Sequence, residues 1–384
     1  MRSSGNIIVG GHICLDIIPR LDQPLEIRPG GLLRIGGAEI STGGAVANTG
    51  LALHRLGVPV QLMGKVGDDP FGRIVFDVLA SHSADLTRDM RVATGEQTSY
   101  SIVLSPPATD RSFLHCPGCN DTFGHDDLNY RAIADSRIFH FGYPTIMRSL
   151  YTDGGLALHR MFERVRLAGT AVSVDTAMPS ESPGTATVNW MEILRRMLPT
   201  VDVFQPSLEE LLVMLGHHQS PLLPSSELNV SALLSLAQEV IDLGCPIVVI
   251  KLGENGLLLR CGAGPQLDAA CGRLGLVPSA WENVALLSPI FYVDKVAGTT
   301  GSGDCTVAGF LAAVLRGESP SEAARSACAV GACSVEAVDA TSGVPAWTKV
   351  LSRLQRGWQR RAKNPTSQWH QDVFGNFDLT KARQ

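Results

Sequence analysis

Apolar residues along this chain fall into short runs of two kinds, and their order is the first clue to its architecture. The opening run, Asn6 to Ile18, reads as a buried strand closing in a polar turn. Arg20 to Thr42 is rich in Gly and Pro, with brief alternation such as Leu33-Arg34-Ile35, so small β-strands standing off the main body are expected there. Gly43 to Leu56 predicts a helix whose apolar stripe is Val46, Ala47, Leu51, Leu53 and Leu56. A strand over Pro59–Val66 and a helix over Asp69–Ala80 follow. Two β runs, Ser99–Leu104 and Arg111–His115, flank a Pro106-Pro107-Ala108-Thr109-Asp110 turn and are expected to join the earlier strands in a β-rich flap.

Beyond this point strands and helices alternate. Strands are predicted at Ser136–Phe141, Ala171–Asp175, Val201–Phe204 and Ile247–Lys251. Helices are predicted at Gly154–Leu167, Trp190–Leu198, Leu208–Leu215, Val230–Leu243, Thr300–Leu315 and Pro320–Val338. Such an order implies an α/β fold, with a mostly parallel sheet covered by helices and ligands bound at the strands' carboxyl ends. After Thr348 the chain begins amphipathic and basic (Arg353, Arg356, Arg360, Arg361, Lys363) and ends polar and aromatic with no clear period. Neither an internal repeat nor a low-complexity tract is visible.

Composition adds limits rather than direction. The 384 residues are 45% hydrophobic and 18% charged, enough apolar material for a large core. A net charge of −5 gives no electrostatic case for nucleic-acid or membrane binding, though a local site can still take an anion. The apolar run Ile7-Ile8-Val9 is broken by Gly10-Gly11 and closed by Asp16, unlike a signal peptide. No run reaches transmembrane length. Nine scattered cysteines fit a reducing cytoplasm better than a disulfide framework.

The chemistry concentrates in Gly298-Thr299-Thr300-Gly301-Ser302-Gly303-Asp304, which opens the helix Cys305-Thr306-Val307-Ala308-Gly309-Phe310-Leu311. Glycines let several N–H groups turn toward one point, and a helix N-terminus adds partial positive charge. That is an anion hole suited to a phosphoryl group in transfer. A carboxylate at its mouth would repel a merely bound phosphate but suits a general base taking a proton from an attacking hydroxyl. Alone, the loop equally fits a glycine turn with an Asp favouring the helix dipole. A second glycine turn, Ser41-Thr42-Gly43-Gly44-Ala45-Val46-Ala47-Asn48, also opens a helix, and Asn48 carries the two-way hydrogen bonding that hydroxyls need.

Together the two motifs resemble the ribokinase-like (PfkB) carbohydrate kinase family. The likeness continues through Gly64-Lys65-Val66-Gly67-Asp68-Asp69-Pro70-Phe71-Gly72, Pro206-Ser207-Leu208-Glu209-Glu210 and Lys251-Leu252-Gly253-Glu254-Asn255-Gly256, in the family's order over roughly residues 6–350. It implies a central sheet flanked by helices with a small β lid, here about 17–40 and 96–116, in a kinase domain over 1–350 followed by a C-terminal helix and tail over 351–384. It implies ATP with Mg2+, a sugar-like acceptor, Asp304 as base and the amides of Gly301, Ser302 and Gly303 as anion hole. Asp16, Gly43, Gly44 and Asn48 match substrate-binding positions. Ser207, Glu210, Lys251, Gly253, Gly256 and Thr300 match the nucleotide side, with Glu210 organising magnesium through water. Two departures stand out. Ser207 replaces the family's Asn before Glu210, and Gly298 replaces an Asp that helps hold a monovalent cation, so potassium activation of the usual form is not implied.

Other signals are weaker. Cys116-Pro117-Gly118-Cys119 lacks a second pair at zinc spacing. His217-His218 suits a helix end, and Asn229-Val230-Ser231 fits a glycosylation pattern with no sign of secretion. His12 and His115 could reach a substrate but fit a structural polar role better, and Arg111 could grip a substrate phosphate but fits a solvated turn better. The rival readings are a nucleoside or phosphosugar kinase, for which Arg28, Arg34 and Arg111 are too scattered to decide, and a catalytically silent relative that binds sugar or nucleotide. Lid strands able to pair between subunits make a homodimer an expectation.

Overall fold

The computed structural model describes residues 6–23, 28–107, 111–179, 187–217, 228–361 and 369–382. In chain order the first half contains β1 (Ile7–Gly11), β2 (Cys14–Pro19), β3 (Ala38–Gly43), α1 (Ala45–Arg55), β4 (Val60–Met63), β5 (Lys65–Gly67), α2 (Pro70–His82), β6 (Arg91–Ala93), β7 (Tyr100–Leu104) and β8 (Ser112–Cys116). Then come α3 (Tyr130–Ala134), β9 (Ile138–Gly142), α4 (Leu156–Leu167), β10 (Ala171–Asp175), α5 (Trp190–Met197), β11 (Val203–Phe204), α6 (Leu208–Met214), α7 (Val230–Asp242) and β12 (Ile247–Lys251). The remainder holds β13 (Leu257–Cys261), α8 (Pro265–Leu274), α9 (Pro278–Trp281), β14 (Ala285–Ser288), β15 (Ile290–Phe291), α10 (Ser302–Leu315), α11 (Pro320–Ser334), α12 (Trp347–Gln355), β16 (Arg360–Arg361), β17 (Trp369–Gln371) and β18 (Phe377–Ala382).

Among the described residues ten strands form the central sheet, in the order β17-β18-β14-β13-β12-β11-β10-β9-β1-β4. From β12 to β4 all neighbours run parallel, and the other edge is antiparallel. Both faces are covered. Ile7 and Val9 enter one core while Ile8 enters the other, and Ile247 and Val249 alternate likewise with Val248 and Ile250. Strands buried on both sides explain the continuous apolar runs. The expected α/β class with a mostly parallel sheet and a β lid is the class found. No helix among the described residues is long and apolar enough to cross a membrane.

The strand expected over Pro59–Val66 divides at Gly64 into β4 and β5, which join different sheets, and three further local expectations change. The opening run is two strands, not one. Gly11, at φ 120°, leaves no room for a side chain against the Gly142 carbonyl, and the chain turns there from the central sheet into the lid. The lid is a four-stranded sheet, β3-β2-β7-β8, but the alternating Leu33-Arg34-Ile35 run takes no strand conformation and is exposed. Short alternation without a pairing partner does not make a strand. Finally, the aperiodic tail contributes β18, which pairs antiparallel with β14 and so joins the central sheet. The end of the basic run is also tied down: Arg360 lies over the Phe291 ring and donates to Asn376 Oδ1 at 3.0 Å. Residues 24–27, 108–110, His218 and Lys363 lie outside the described residues.

The lid's two faces differ in character because register and pleat put them there. Ser41, Asp16, Ser101 and His115 stand opposite one another across the four strands, and the next row is Ile40, Ile17, Ile102 and Leu114. Successive rows point to opposite faces, so one face is polar where the other is apolar.

The α10–α11 pair sets the position of the glycine loop. Ser319 and Glu322 cap α11 reciprocally, with Pro320 in its first turn. The two helices approach closely because their contacts are small: a Cβ at Gly309 would lie 2.9 Å from Ser326 O and from Val330 Cβ, and one at Gly331 would overlap Thr306 Oγ1.

Candidate active site

Asp304 sits in the first turn of α10, 3% exposed. Its carboxylate is held from three directions. The Tyr143 hydroxyl lies 2.8 Å from both oxygens, Asn48 Nδ2 donates to Oδ2 at 3.0 Å, and Thr49 Oγ1 is 3.4 Å from Oδ1. Burial pushes Asp304 above the ordinary carboxylate range, against the pull of Lys251 and of the Tyr143 and Asn48 hydrogen bonds. The result is a fixed, water-poor carboxylate of raised basicity at the end of the glycine loop, suited to taking a proton.

Of the residues that the resemblance places on the substrate side, Asn48 meets Asp304, Gly43 packs against Asp16, and Gly44 packs against His12. Gly43 ends β3 where a Cβ would overlap the Asp16 carboxylate, and Gly44, at φ 83°, caps α1 against His12. Asn48 then lies one turn into α1 and reaches Asp304. Asp16 belongs to lid strand β2 rather than to the end of a sheet strand. Burial raises its pKa to about 6, offset in part by hydrogen bonds from Cys14 and Ser101. His12 and His115 meet at 3.4 Å between their Nε2 atoms, and His115 Nδ1 is 3.0 Å from Ser101 Oγ. Burial lowers the pKa of both, His12 to about 3, so two neutral imidazoles line the lid's polar face.

On the phosphate side, Gly301 caps α10 in the left-handed region at φ 70°, and a Cβ there would overlap Ala340. The Ser302 N–H donates to Thr299 O at 3.3 Å. A Cβ at Gly303 would have the Lys251 side chain as its nearest neighbour, at 3.7 Å to Nζ. Lys251, at the carboxyl end of β12, forms a buried ion pair with Asp175 at the end of β10. Burial pulls its ammonium down, but Asp175, Glu210 and Asp304 together outweigh this and hold the proton on. Ser207 and Glu210 form the capping box of α6: the Ser207 N–H donates to Glu210 Oε2 at 2.9 Å, and Thr176 Oγ1 donates to the same oxygen at 2.8 Å. Ser207 bridges to Lys251 on the neighbouring strand. Gly253 and Gly256 form the β12–β13 turn; a side chain at Gly256 would collide with Ser288 O, while one at Gly253 would meet nothing within 4 Å. Thr300 is half-buried in the loop.

Gly298 is sterically closed to replacement, since a Cβ there would lie 2.6 Å from Val338 O and 3.0 Å from Ala337 O. Arg111 of the lid donates to Thr299 Oγ1, tying lid to loop. The weaker sequence signals have local partners. Cys119 Sγ donates to Lys65 O at 3.2 Å, His217 pairs with Glu239 at 2.9 Å, and Asn229 caps α7.

The sequence model of the pfkB family carbohydrate kinases matches residues 5–347. The chain belongs to that family. An uncharacterized sugar kinase of Archaeoglobus fulgidus is 24% identical over 294 residues, spanning 76% of this chain and 98% of the relative. Arabidopsis thaliana ribokinase, solved with ribose and ATP, superposes with a TM-score of 0.69 at 19% identity, over 91% of this chain and 98% of its own. Xylella fastidiosa fructokinase with bound ATP gives a TM-score of 0.67 at 22% identity, over 92% and 99%. These likenesses show the ribokinase fold.

Three residues of this pfkB-family kinase escaped sequence reading: Tyr143, Asp175 and Thr49. Asp175 and Tyr143 do carry one signal, since each lies at or just past the carboxyl end of a parallel strand, where such sheets bind ligands. Tyr143 is unusual in its backbone. It takes φ 66° and ψ 40° and precedes Pro144, two conditions that disfavour a bulky residue and together cost about 1–3 kcal/mol. Its N–H donates to Asp175 O at 3.0 Å, which helps hold that conformation.

Proposed function

We propose that this kinase transfers the γ-phosphate of ATP to a hydroxyl of a small sugar-like acceptor, with Asp304 as the general base. The observation that carries this reading is the buried Asp304 carboxylate at the head of α10, beside a glycine loop and within reach of the Lys251 charge. The acceptor lies between the lid's polar row and Asp304, its hydroxyls met by Asp16 and the α1 turn. Asp304 takes the hydroxyl proton as that oxygen attacks in line, and the amides of Gly301 and Gly303, with that of Ser302 exchanging its long bond to Thr299 O for the phosphoryl group, take up charge on the equatorial oxygens. Lys251, already charged and fixed by Asp175, adds a cation along the loop.

The residues present fit a hydrated Mg2+. Asp175 Oδ2 is buried without a hydrogen-bond partner, and Glu210 lies within electrostatic reach of it. Glu210, acting through water, is the residue assigned to it here. A bound Mg2+ would supply charge neutralisation on the β- and γ-phosphates. Gly298 leaves no space for a side chain, so that position offers no carboxylate to a potassium ion.

An ATP-consumption screen over pentoses, hexoses, their phosphates and nucleosides, in potassium and in sodium, tests both points. Turnover with a free sugar at equal rates in the two salts is expected. Silence across the whole panel would instead favour a binding-only relative, and preference for a phosphosugar would draw attention to Arg111. The lid also supports a homodimer, because Ile40 and Leu114, 43% and 55% exposed, end its apolar row on its two edge strands. Light scattering at working concentration should return twice the 40.9 kDa chain mass. A monomeric mass would remove this part of the proposal.

A further inference from the structure

Tyr143 stands on the path between two parts of the site that the sequence motifs never connect. It leaves the carboxyl end of β9, anchors its N–H on the last residue of β10, and sends its hydroxyl 161 residues along the chain to the carboxylate of α10. The hydroxyl does not pick one oxygen. It lies at 2.8 Å from each, so it straddles the two oxygens. Asn48 and Thr49 then approach one oxygen each from α1. A carboxylate offers about four lone-pair directions. With these donors in place its rotation is fixed, and little is left unfilled. A tyrosine needed only for packing would not require a left-handed backbone immediately before a proline, and a phenylalanine would serve as well.

We propose that Tyr143 is the positioning residue of the base: its hydroxyl, bridging both oxygens, sets the rotation of the Asp304 carboxylate so that its remaining lone pair faces the acceptor hydroxyl. This rests on Asp304 being the base. Tyr143 itself neither gains nor loses a proton in the step. The acceptor O–H bond breaks toward Asp304, its oxygen bonds to the γ-phosphorus, and the bond from that phosphorus to ADP breaks.

Two substitutions with opposite expected signs test it. Tyr143→Phe keeps the ring and removes the donor; kcat should fall about 10- to 100-fold with little change in acceptor KM. The acid limb of the pH–rate profile should move upward, since a donor that favours the charged carboxylate has gone. Placing 3,5-difluorotyrosine at position 143 keeps the shape, and therefore the fold, while making the phenol a stronger donor; the acid limb should move downward. Burial and the Asp304, Asp175 and Glu210 carboxylates all favour the protonated phenol. The other groups facing Asp304 are Lys251 of β12, Glu210 of α6, Asp175 of β10 and its own neighbour Cys305, and all are the same in both variants. Limbs that stay at the wild-type position, or that move the same way in both variants, overturn the proposal. Asp304→Asn run alongside separates the two readings. If that variant is inactive while neither limb moves, only the role of Tyr143 fails; if it is near-normal, the base assignment itself fails.

Discussion

Asp304→Asn should lower kcat by about two to four orders of magnitude while ATP affinity stays close to that of the unchanged protein. The reason is local. An amide fills the same space in the first turn of α10 but has no proton-accepting carboxylate, so the acceptor hydroxyl must attack with its proton still attached. The loop amides, Lys251 and the nucleotide side lie on other residues and are untouched, which keeps ATP binding out of the effect. Rapid-quench turnover with calorimetric ATP binding reads both quantities. A rate near that of the unchanged protein would remove Asp304 from the chemistry. In the unchanged protein, activity should fall as pH drops through the raised Asp304 pKa, because only the ionised carboxylate accepts a proton. That fall comes at higher pH than for an ordinary exposed Asp.

Lys251→Met should damage both stability and rate. Lys251 and Asp175 side chains are 12% and 1% exposed, so removing the ammonium strands a buried carboxylate, at about 3–5 kcal/mol. Urea unfolding would measure this. The rate effect has a separate cause: with the cation beside Gly303 gone, charge on the transferring group loses one stabilising partner. By analogy with loss of one anion-hole donor, kcat falls about 10²- to 10³-fold. Adding Asp175→Leu to Lys251→Met separates the two effects. The double variant should regain most of the lost stability, because no charge is left unpaired, yet stay slow. Recovery of rate along with stability would mean that the ion pair serves only the fold.

Both predictions concern one corner, where the carboxyl ends of β9, β10 and β12 meet the amino end of α10. Polar side chains crowd there on a single face of the sheet. His140 Nδ1 is 3.0 Å from Ser173 Oγ, and Gln205 Nε2 donates to that same hydroxyl at 3.0 Å. These groups follow apolar residues that alternate into the cores, so each strand turns polar on one face only as it reaches the site. The lid repeats the device, with its polar row and apolar row on opposite faces.

By itself the sequence determined what depends on near neighbours. Glycines, a carboxylate and a helix start within seven residues define the loop at 298–304, and Gly43-Gly44 with Asn48 defines the second turn. Alternating strands and helices from Ser136 to Lys251, and the two helices after Thr300, were legible for the same reason, that period and turn chemistry act over a few residues; β13, α8, α9, β14 and β15 between them were not. Only the tertiary structure decided that Asn48 faces Asp304, that Lys251 is balanced by Asp175, and that Tyr143 bridges the Asp304 carboxylate. It also decided that the opening run divides at Gly11 and that the aperiodic tail pairs with β14. Each of these depends on which strands become neighbours in the sheet. Strand order is set by packing across distances of up to hundreds of residues, and no local propensity carries it.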